Sequence, residues 1–303
     1  MSQDRILPGI ALMLAFCVLA PLLDASAKLA TATIPVGQIT AARFLIQAVL
    51  MAPVALAMGL DWRMSRRALG LTALRAVFLI LSTFCFVAAV TVMPIADALA
   101  IVFVEPFLIL ILGHWLFGDA IGPRRIAASV VGFLGALLVI QPSLAAFGLV
   151  ALFPLGTALF FTLYMLVTRA ASTDMHPVMQ QFHTAAIGTL ICLPILWLAK
   201  DSGIGPLDPV MPQGIVWAWL FGVGFWATAS HMCMTLALHF APASTLAPLH
   251  YLEIVAAVAV GYLIFGDFPD ALTWAGIAVI VVSGLYIIHR ERLTARASLT
   301  PAP

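Results

Sequence analysis

The sequence predicts an all-α integral membrane protein, with ten transmembrane helices built as two inverted five-helix repeats. Three observations carry that expectation: composition, an internal repeat, and the placement of arginine. Of 303 residues, 63% are hydrophobic and 9% charged, and the mean hydropathy is +1.13. A soluble domain of this length needs far more charge to cover its surface, whereas apolar runs of about 18 or more residues read as membrane spans. The net charge of +1 gives no field that would draw nucleic acid. Cys17, Cys85, Cys192 and Cys233 all lie inside apolar runs and form no CxxC pair, so they read as small buried residues.

Breaks at Pro, Gly and charge clusters set the spans in order. Span 1 covers 6–29. Its apolar run outlasts the core of a signal peptide and meets Asp24 before the small residues Ala25-Ser26-Ala27, so it reads as a retained helix. Span 2 (36–58) follows Pro35, span 3 (69–91) follows the Arg66-Arg67 pair, and span 4 (95–117) follows Pro94. Span 5 (124–140) starts at Arg124-Arg125, and span 6 (147–168) stops at Arg169. Span 7 (178–198) follows Pro177, and span 8 (215–238) follows the longest connection, Lys200–Gly214. Spans 9 (245–265) and 10 (272–289) flank the loop after Phe265-Gly266-Asp267, and a short basic tail, expected to be disordered, occupies 290–303.

A shift of 148 residues aligns Ser82–Asp119 with Ser230–Asp267 without a gap. The matches include Ser82/Ser230, Cys85/Cys233, Pro94/Pro242, Glu105/Glu253, Gly113/Gly261 and the two "FGD" endings. These rare types in register argue for duplication more strongly than aliphatic matches would. The shift pairs span 3 with 8 and span 4 with 9, so each half holds five spans: 1–146 and 147–289. An odd number inverts the second half. Ten spans put both termini on one side, and that side collects Arg5, Arg63, Arg66, Arg67, Arg124, Arg125, Arg169, Arg290, Arg292 and Arg296, against Lys200 on the other. Both termini are therefore expected in the cytoplasm, with the chain in a bacterial-type inner membrane.

The same features resemble the EamA-type permeases of the drug/metabolite transporter superfamily. Each half carries a small-residue helix, a short Pro turn ("VMPIADA", "FAPASTL"), another helix, and an ending "GHWLFGD" or "GYLIFGD". The family ending usually has Glu where Asp119 and Asp267 stand here. The resemblance implies the ten-helix fold and transport of a small molecule, with amino-acid exporters the nearest in character.

The candidate site is read from buried polar residues. Glu105 lies about 15 Å down span 4 from Ile95, and Glu253 about 12 Å down span 9 from Thr245, so the repeat-related acids meet near the midplane. A carboxylate there costs about 2.5–3.5 kcal/mol on insertion scales, which marks a polar cavity or a proton-titrating site. Pro106 is expected to kink span 4 beside Glu105, and in span 9 Pro248 precedes Glu253. His250 is three residues before Glu253 on the same face, placed to pass a proton or to hold the helix by a hydrogen bond. Asp24, Lys28 and Arg43 are expected to form an ion network in the outer third, fit for a zwitterion's carboxylate and ammonium. Trp226 and Ser230 share a face of span 8, whose Gly222, Gly224, Ala227 and Ala229 allow close approach. Tyr164, His183, His231 and Tyr251 are weaker candidates, and Arg75 is expected to snorkel to the cytoplasmic face.

The expected function is secondary transport of a small amphipathic metabolite by alternating access, amino acids moving outward being the leading case. Import of a vitamin or nucleotide-like metabolite is the alternative. No phosphate loop or soluble domain suggests ATP hydrolysis, and no cofactor or metal is expected. A membrane-embedded enzyme lacks a paired motif such as HExxH, and a channel lacks rings of like groups. The bilayer and the substrate are the expected partners, with proton coupling an option and the oligomeric state open.

Overall fold

The computed structural model describes residues 6–117, 126–127, 130–135, 137–138, 146–172, 175–241, 246 and 249–297. The described residues are helical, with no strand among them. In chain order the helices are α1 (Ile6–Ala30), α2 (Val36–Ala57), α3 (Arg66–Val90), α4 (Ile95–Val102), α5 (Glu105–Phe117), α6 (Phe153–Ala171), α7 (Pro177–Ala199), α8 (Val216–Phe240), α9 (Glu253–Phe265) and α10 (Ala271–Ala297). Residues 126–127, 130–135 and 137–138 are helical pieces of the expected fifth span. Asp119, Arg124, Arg125, Pro242 and Pro248 lie outside the described residues.

Among the described residues, seven helical stretches are long and apolar enough to cross a membrane: Ile6–Ala30, Val36–Ala57, Arg66–Val90, Ile95–Leu116, Gly148–Ala171, Pro177–Ala199 and Val216–Phe240. Glu253–Phe265 and Ala271–Ser283 are shorter apolar helices. The helix starts follow local chemistry. Ser65 caps α3 by accepting from the Ala68 N–H at 3.1 Å, and Pro177 opens α7 where its missing N–H costs nothing. Gly266 closes α9 at φ 72°, a left-handed position that suits glycine. The tail departs from the disorder expected of it, because α10 runs on to Ala297. No Pro or Gly interrupts Leu285–Ala297, and its Arg, Glu, Leu and Ala are good helix formers.

The main packing joins the first five helices to the later ones. α1 lies along α8, α3 along α6, and α2 along α7 and α8. Small residues permit these approaches. A side chain at Gly222 would meet Ser26 Oγ at 2.9 Å, one at Gly9 would meet Ala241 Cβ at 2.9 Å, and one at Gly224 would overlap Ile46. One apolar cluster therefore lies at the seam between α1–α3 and α6–α8, and another is built on α4, α9 and α10.

Gly224→Ala should accordingly destabilise the protein by about 1–3 kcal/mol through overpacking. Gly70→Ala, where nothing lies within 4 Å, should leave stability equal or slightly higher. Thermal unfolding of the two variants in one detergent decides; equal melting temperatures would refute the packing account.

Candidate functional site

The fourth span, Ile95–Leu116, is interrupted by a turn. α4 ends at Val102, Phe103-Val104 form a turn, and α5 begins at Glu105. The same break recurs 148 residues later: residues 249–250 are helical, Tyr251-Leu252 form a turn, and α9 begins at Glu253. The interruption falls just ahead of Pro106, the second residue of α5, which has no N–H to give Val102 O. In the second half Ile254 takes that place and makes only a long bond, its N–H to Tyr251 O at 3.4 Å. Each glutamate thus stands at the positive end of a half-helix, which favours a carboxylate.

The two breaks face each other. His250 Nε2 lies 2.7 Å from Glu253 Oε2, and His250 Nδ1 lies 3.3 Å from Glu105 Oε2. Glu105, His250 and Glu253 are 0%, 3% and 4% exposed. Phe16, Phe161 and Phe103 enclose the imidazole, with ring centroids 5.2, 5.8 and 6.2 Å away. One imidazole can donate to both carboxylates only as imidazolium; a neutral ring serves one of them. In this state the 3.3 Å approach is an ion-pair contact only: both Glu105 oxygens and His250 Nδ1 lack a hydrogen-bond partner. The proton inventory of the cluster therefore decides which carboxylate is held.

Glu253 also opens on a cavity of ≈ 640 Å³, its open mouth included, which Glu105 does not line. Asp24, Arg43 and His231 line it with Glu253, and Phe16, Phe86 and Phe161 supply apolar wall. A few convergent polar groups in an apolar pocket are how small ligands are oriented. Arg43 is 2% exposed. Its Nη1 donates to Thr83 Oγ1 and its Nη2 meets His231 Nε2 at 2.7 Å, while Nε has no partner. Asp24 faces the same space, in electrostatic reach of Glu253 and Arg43, with no hydrogen bond or ion pair among the described residues. The lining thus holds an under-used cation and two acids.

Three expected site residues lie elsewhere. Lys28 does not join Asp24 and Arg43. It pairs with Asp267 at 3.0 Å and sits 4.7 Å over the Phe265 ring, because α1 packs on α9 and brings the second "FGD" to its last turn. Ser230 donates back to Trp226 O at 2.7 Å, so its hydroxyl is spent within α8. Trp226 stands edge-on to Phe225 at 5.0 Å, outside the cavity lining. Arg75 does not snorkel: it is fully buried, and each of its N–H groups is hydrogen-bonded. A polar stripe on α3 (Thr72, Arg75, Ser82) was the available signal that this face turns inward.

A helical membrane bundle with broken helices around a buried polar cavity defines a transporter. Its family follows from the sequence: the chain belongs to the EamA-like transporter family, whose model matches residues 7–141 and again 148–289. It is a multi-pass membrane protein of a family of transporters, not of enzymes. A riboflavin transporter of Rhizobium johnstonii is 29% identical over 72% of this chain and 69% of that protein. The pseudopaline exporter of Pseudomonas aeruginosa is 27% identical over 96% of this chain and 100% of the exporter. An S-adenosylmethionine uptake transporter of Rickettsia felis is 25% identical over 72% of this chain and 71% of its own. A solved crystal structure superposes with TM-score 0.70 over 99% of this chain and 100% of its own at 19% identity, which establishes likeness of fold alone.

His250→Ala would leave two carboxylates buried without their shared partner. Removing one member of a buried ionic group costs about 3–5 kcal/mol, so the melting temperature should fall sharply. Adding Glu105→Gln to that variant should recover part of the loss. No recovery in thermal unfolding would show that the carboxylates do not depend on His250.

Proposed function

We propose that this protein is a secondary carrier for a small amphipathic zwitterion, with amino-acid export across a bacterial inner membrane as the first candidate. The observation that carries this reading is the cavity itself, whose lining combines Arg43 with an unpartnered Nε, the acids Asp24 and Glu253, and the phenylalanines Phe16, Phe86 and Phe161. A carboxylate has a place at Arg43 and an ammonium a place between the acids.

The transport cycle in this proposal is alternating access between two inverted five-helix halves, 1–146 and 147–289, with ten spans, both termini cytoplasmic and 290–303 as the cytoplasmic tail. Two features support it. The family model matches twice in succession. The repeat also sends α1 to α6 and α3 to α8, so the α1–α8 and α3–α6 contacts exchange with each other as a two-fold relation requires. Protons are the proposed coupling ion. Glu253 faces His250, Glu105 on α5, and Cys17 and Asp24 on α1, so substrate ammonium and proton would compete for the same carboxylate. The membrane potential adds about 2.3 kcal/mol per charge per 100 mV.

The second reading, uptake of a vitamin or nucleotide-like metabolite, is favoured by the riboflavin and S-adenosylmethionine transporters among the relatives, and the aromatic wall would suit a flat ring. Comparing metabolites inside and outside cells that overproduce or lack the protein separates the readings. Export predicts an amino acid enriched in the medium; enrichment of a ring-bearing metabolite inside the cells overturns it. For the metabolite so found, Glu253→Gln should abolish the pH dependence of its transport in proteoliposomes, and unchanged pH dependence would rule out coupling at that carboxylate. Cysteines placed at Ser65 and Ser202 should label from the cytoplasm and from outside, respectively; the reverse pattern would invert the topology.

A further inference from the structure

The cavity lies toward one end of the bundle. It is lined by the later part of α1 (Ala20, Asp24, Ala27), the later part of α3 (Ser82–Val87), and the early turns of α6 (Thr157, Phe161) and α8 (Val223). At the other end, where α3 and α7 begin and α6 and α8 finish, a separate pocket lies between Asp61–Met64 and His176–His183, and deeper in that end the helices are tied together. At its centre is Arg75, fully buried in α3.

Arg75 Nε donates to Thr168 Oγ1 at 2.8 Å. Nη1 donates to Gln180 O and Thr184 Oγ1, both at 2.8 Å. Nη2 donates to Tyr164 OH at 2.8 Å and Thr235 Oγ1 at 3.0 Å. All five guanidinium N–H groups are used. The acceptors come from α6, α7 and α8, so this one side chain ties α3 to three helices of the later part of the chain. A second tie runs beside it: Gln47 Nε2 on α2 donates to Gln181 Oε1 at 2.9 Å, and Gln181 Nε2 donates to Thr235 Oγ1 and His231 O, both at 2.6 Å.

The chemistry of the acceptors is informative. A permanent strut would pair a buried guanidinium with a carboxylate, and among the described residues Arg75 has none within ion-pair reach. Four hydroxyls and a carbonyl hold it instead. Water can replace each of those when the helices part, at small net cost, because a hydroxyl and a water are equivalent acceptors. The arrangement is fully satisfied when closed and readily hydrated when open.

The knot is also wired to the cavity. Arg43 can only donate, so His231 Nε2 accepts from it, which puts the ring proton on Nδ1, facing Tyr164 OH at 3.3 Å. The same Tyr164 oxygen accepts from Arg75. An anion that draws Arg43 away from His231 would release one end of this chain while the other still holds Arg75.

We infer that Arg75 and its five acceptors are the closed gate at the end of the bundle opposite the cavity mouth, and that Arg43, through His231 and Tyr164, links the filling of the cavity to that gate. The inference rests on the carrier reading above.

The test is maleimide labelling of the full-length protein in nanodiscs, with sites assigned by peptide mass spectrometry. Thr72→Cys reports the gate, one helical turn from Arg75 on α3 and fully buried. Ala27→Cys reports the cavity side. Arg75→Gln should raise labelling at position 72 about tenfold and lower it at position 27. Thr184→Val with Thr235→Val removes two acceptors but keeps the charge, and should shift both rates the same way by a smaller factor; it decides the matter if Arg75→Gln fails to fold. Arg43→Ala should shift them likewise, and an unmoved pair of rates there overturns the link. Rates unchanged in the Arg75 and threonine variants, or rising together at both positions, overturn the gate. Either failure leaves the carrier reading standing, because the metabolite comparison judges that reading separately.

Discussion

The whole arrangement depends on one constraint: in lipid a buried polar group must find its partner inside the protein. Apolar helices have no reason to prefer each other over lipid chains, so close packing at small residues and polar contacts specify which faces meet. Here the decisive polar contacts cross from the first five helices to the later ones. Arg43 reaches His231, Arg75 reaches Tyr164, Thr184 and Thr235, Gln47 reaches Gln181, and Lys28 reaches Asp267. The glycines of α8 then let α1 and α2 approach closely enough for these contacts to form. Packing supplies the area, while the buried donors and acceptors set rotation and depth.

The broken spans use the same constraint differently. A continuous helix satisfies its own backbone and offers a ligand nothing but side chains. Interrupting it at Phe103-Val104 and at Tyr251-Leu252 creates two helix N-termini inside the bundle. Irregular backbone at that depth is tolerated only where protein or a wet cavity surrounds it, and both breaks sit against His250 and its phenylalanines. The glutamates gain from the helix ends and from the imidazole together, which makes two acids affordable in so dry a place.

Much of this was legible in the sequence, and the losses have one cause. The 148-residue repeat identified Glu105 and Glu253 as equivalent, and the i, i+3 spacing put His250 beside Glu253. The repeat could not say that the two acids share one imidazole, because Glu105 and His250 are on spans whose mutual rotation no local pattern records. Lys28 shows the same loss: it is four residues from Asp24, yet its partner is Asp267. Trp226 and Ser230 were assigned to the cavity by helical spacing alone, and a helix apolar all round gives little sign of which face is inward. Pro106, by contrast, is a local signal: the span is interrupted at Phe103-Val104, just ahead of the residue that cannot donate.

The site's asymmetry is the last piece. Glu253 meets the cavity, whereas Glu105, its counterpart, stands behind His250 and touches no open space. Under the proposed two-fold relation between halves, a state open to the other end would exchange those roles. Glu105 would then face the cavity and Glu253 would lie behind. One imidazole between two equivalent carboxylates needs little motion to serve either, since its two nitrogens already address both. Under that proposal the imidazole belongs to both states, while the larger rearrangement occurs around it, where four hydroxyls and a carbonyl hold Arg75.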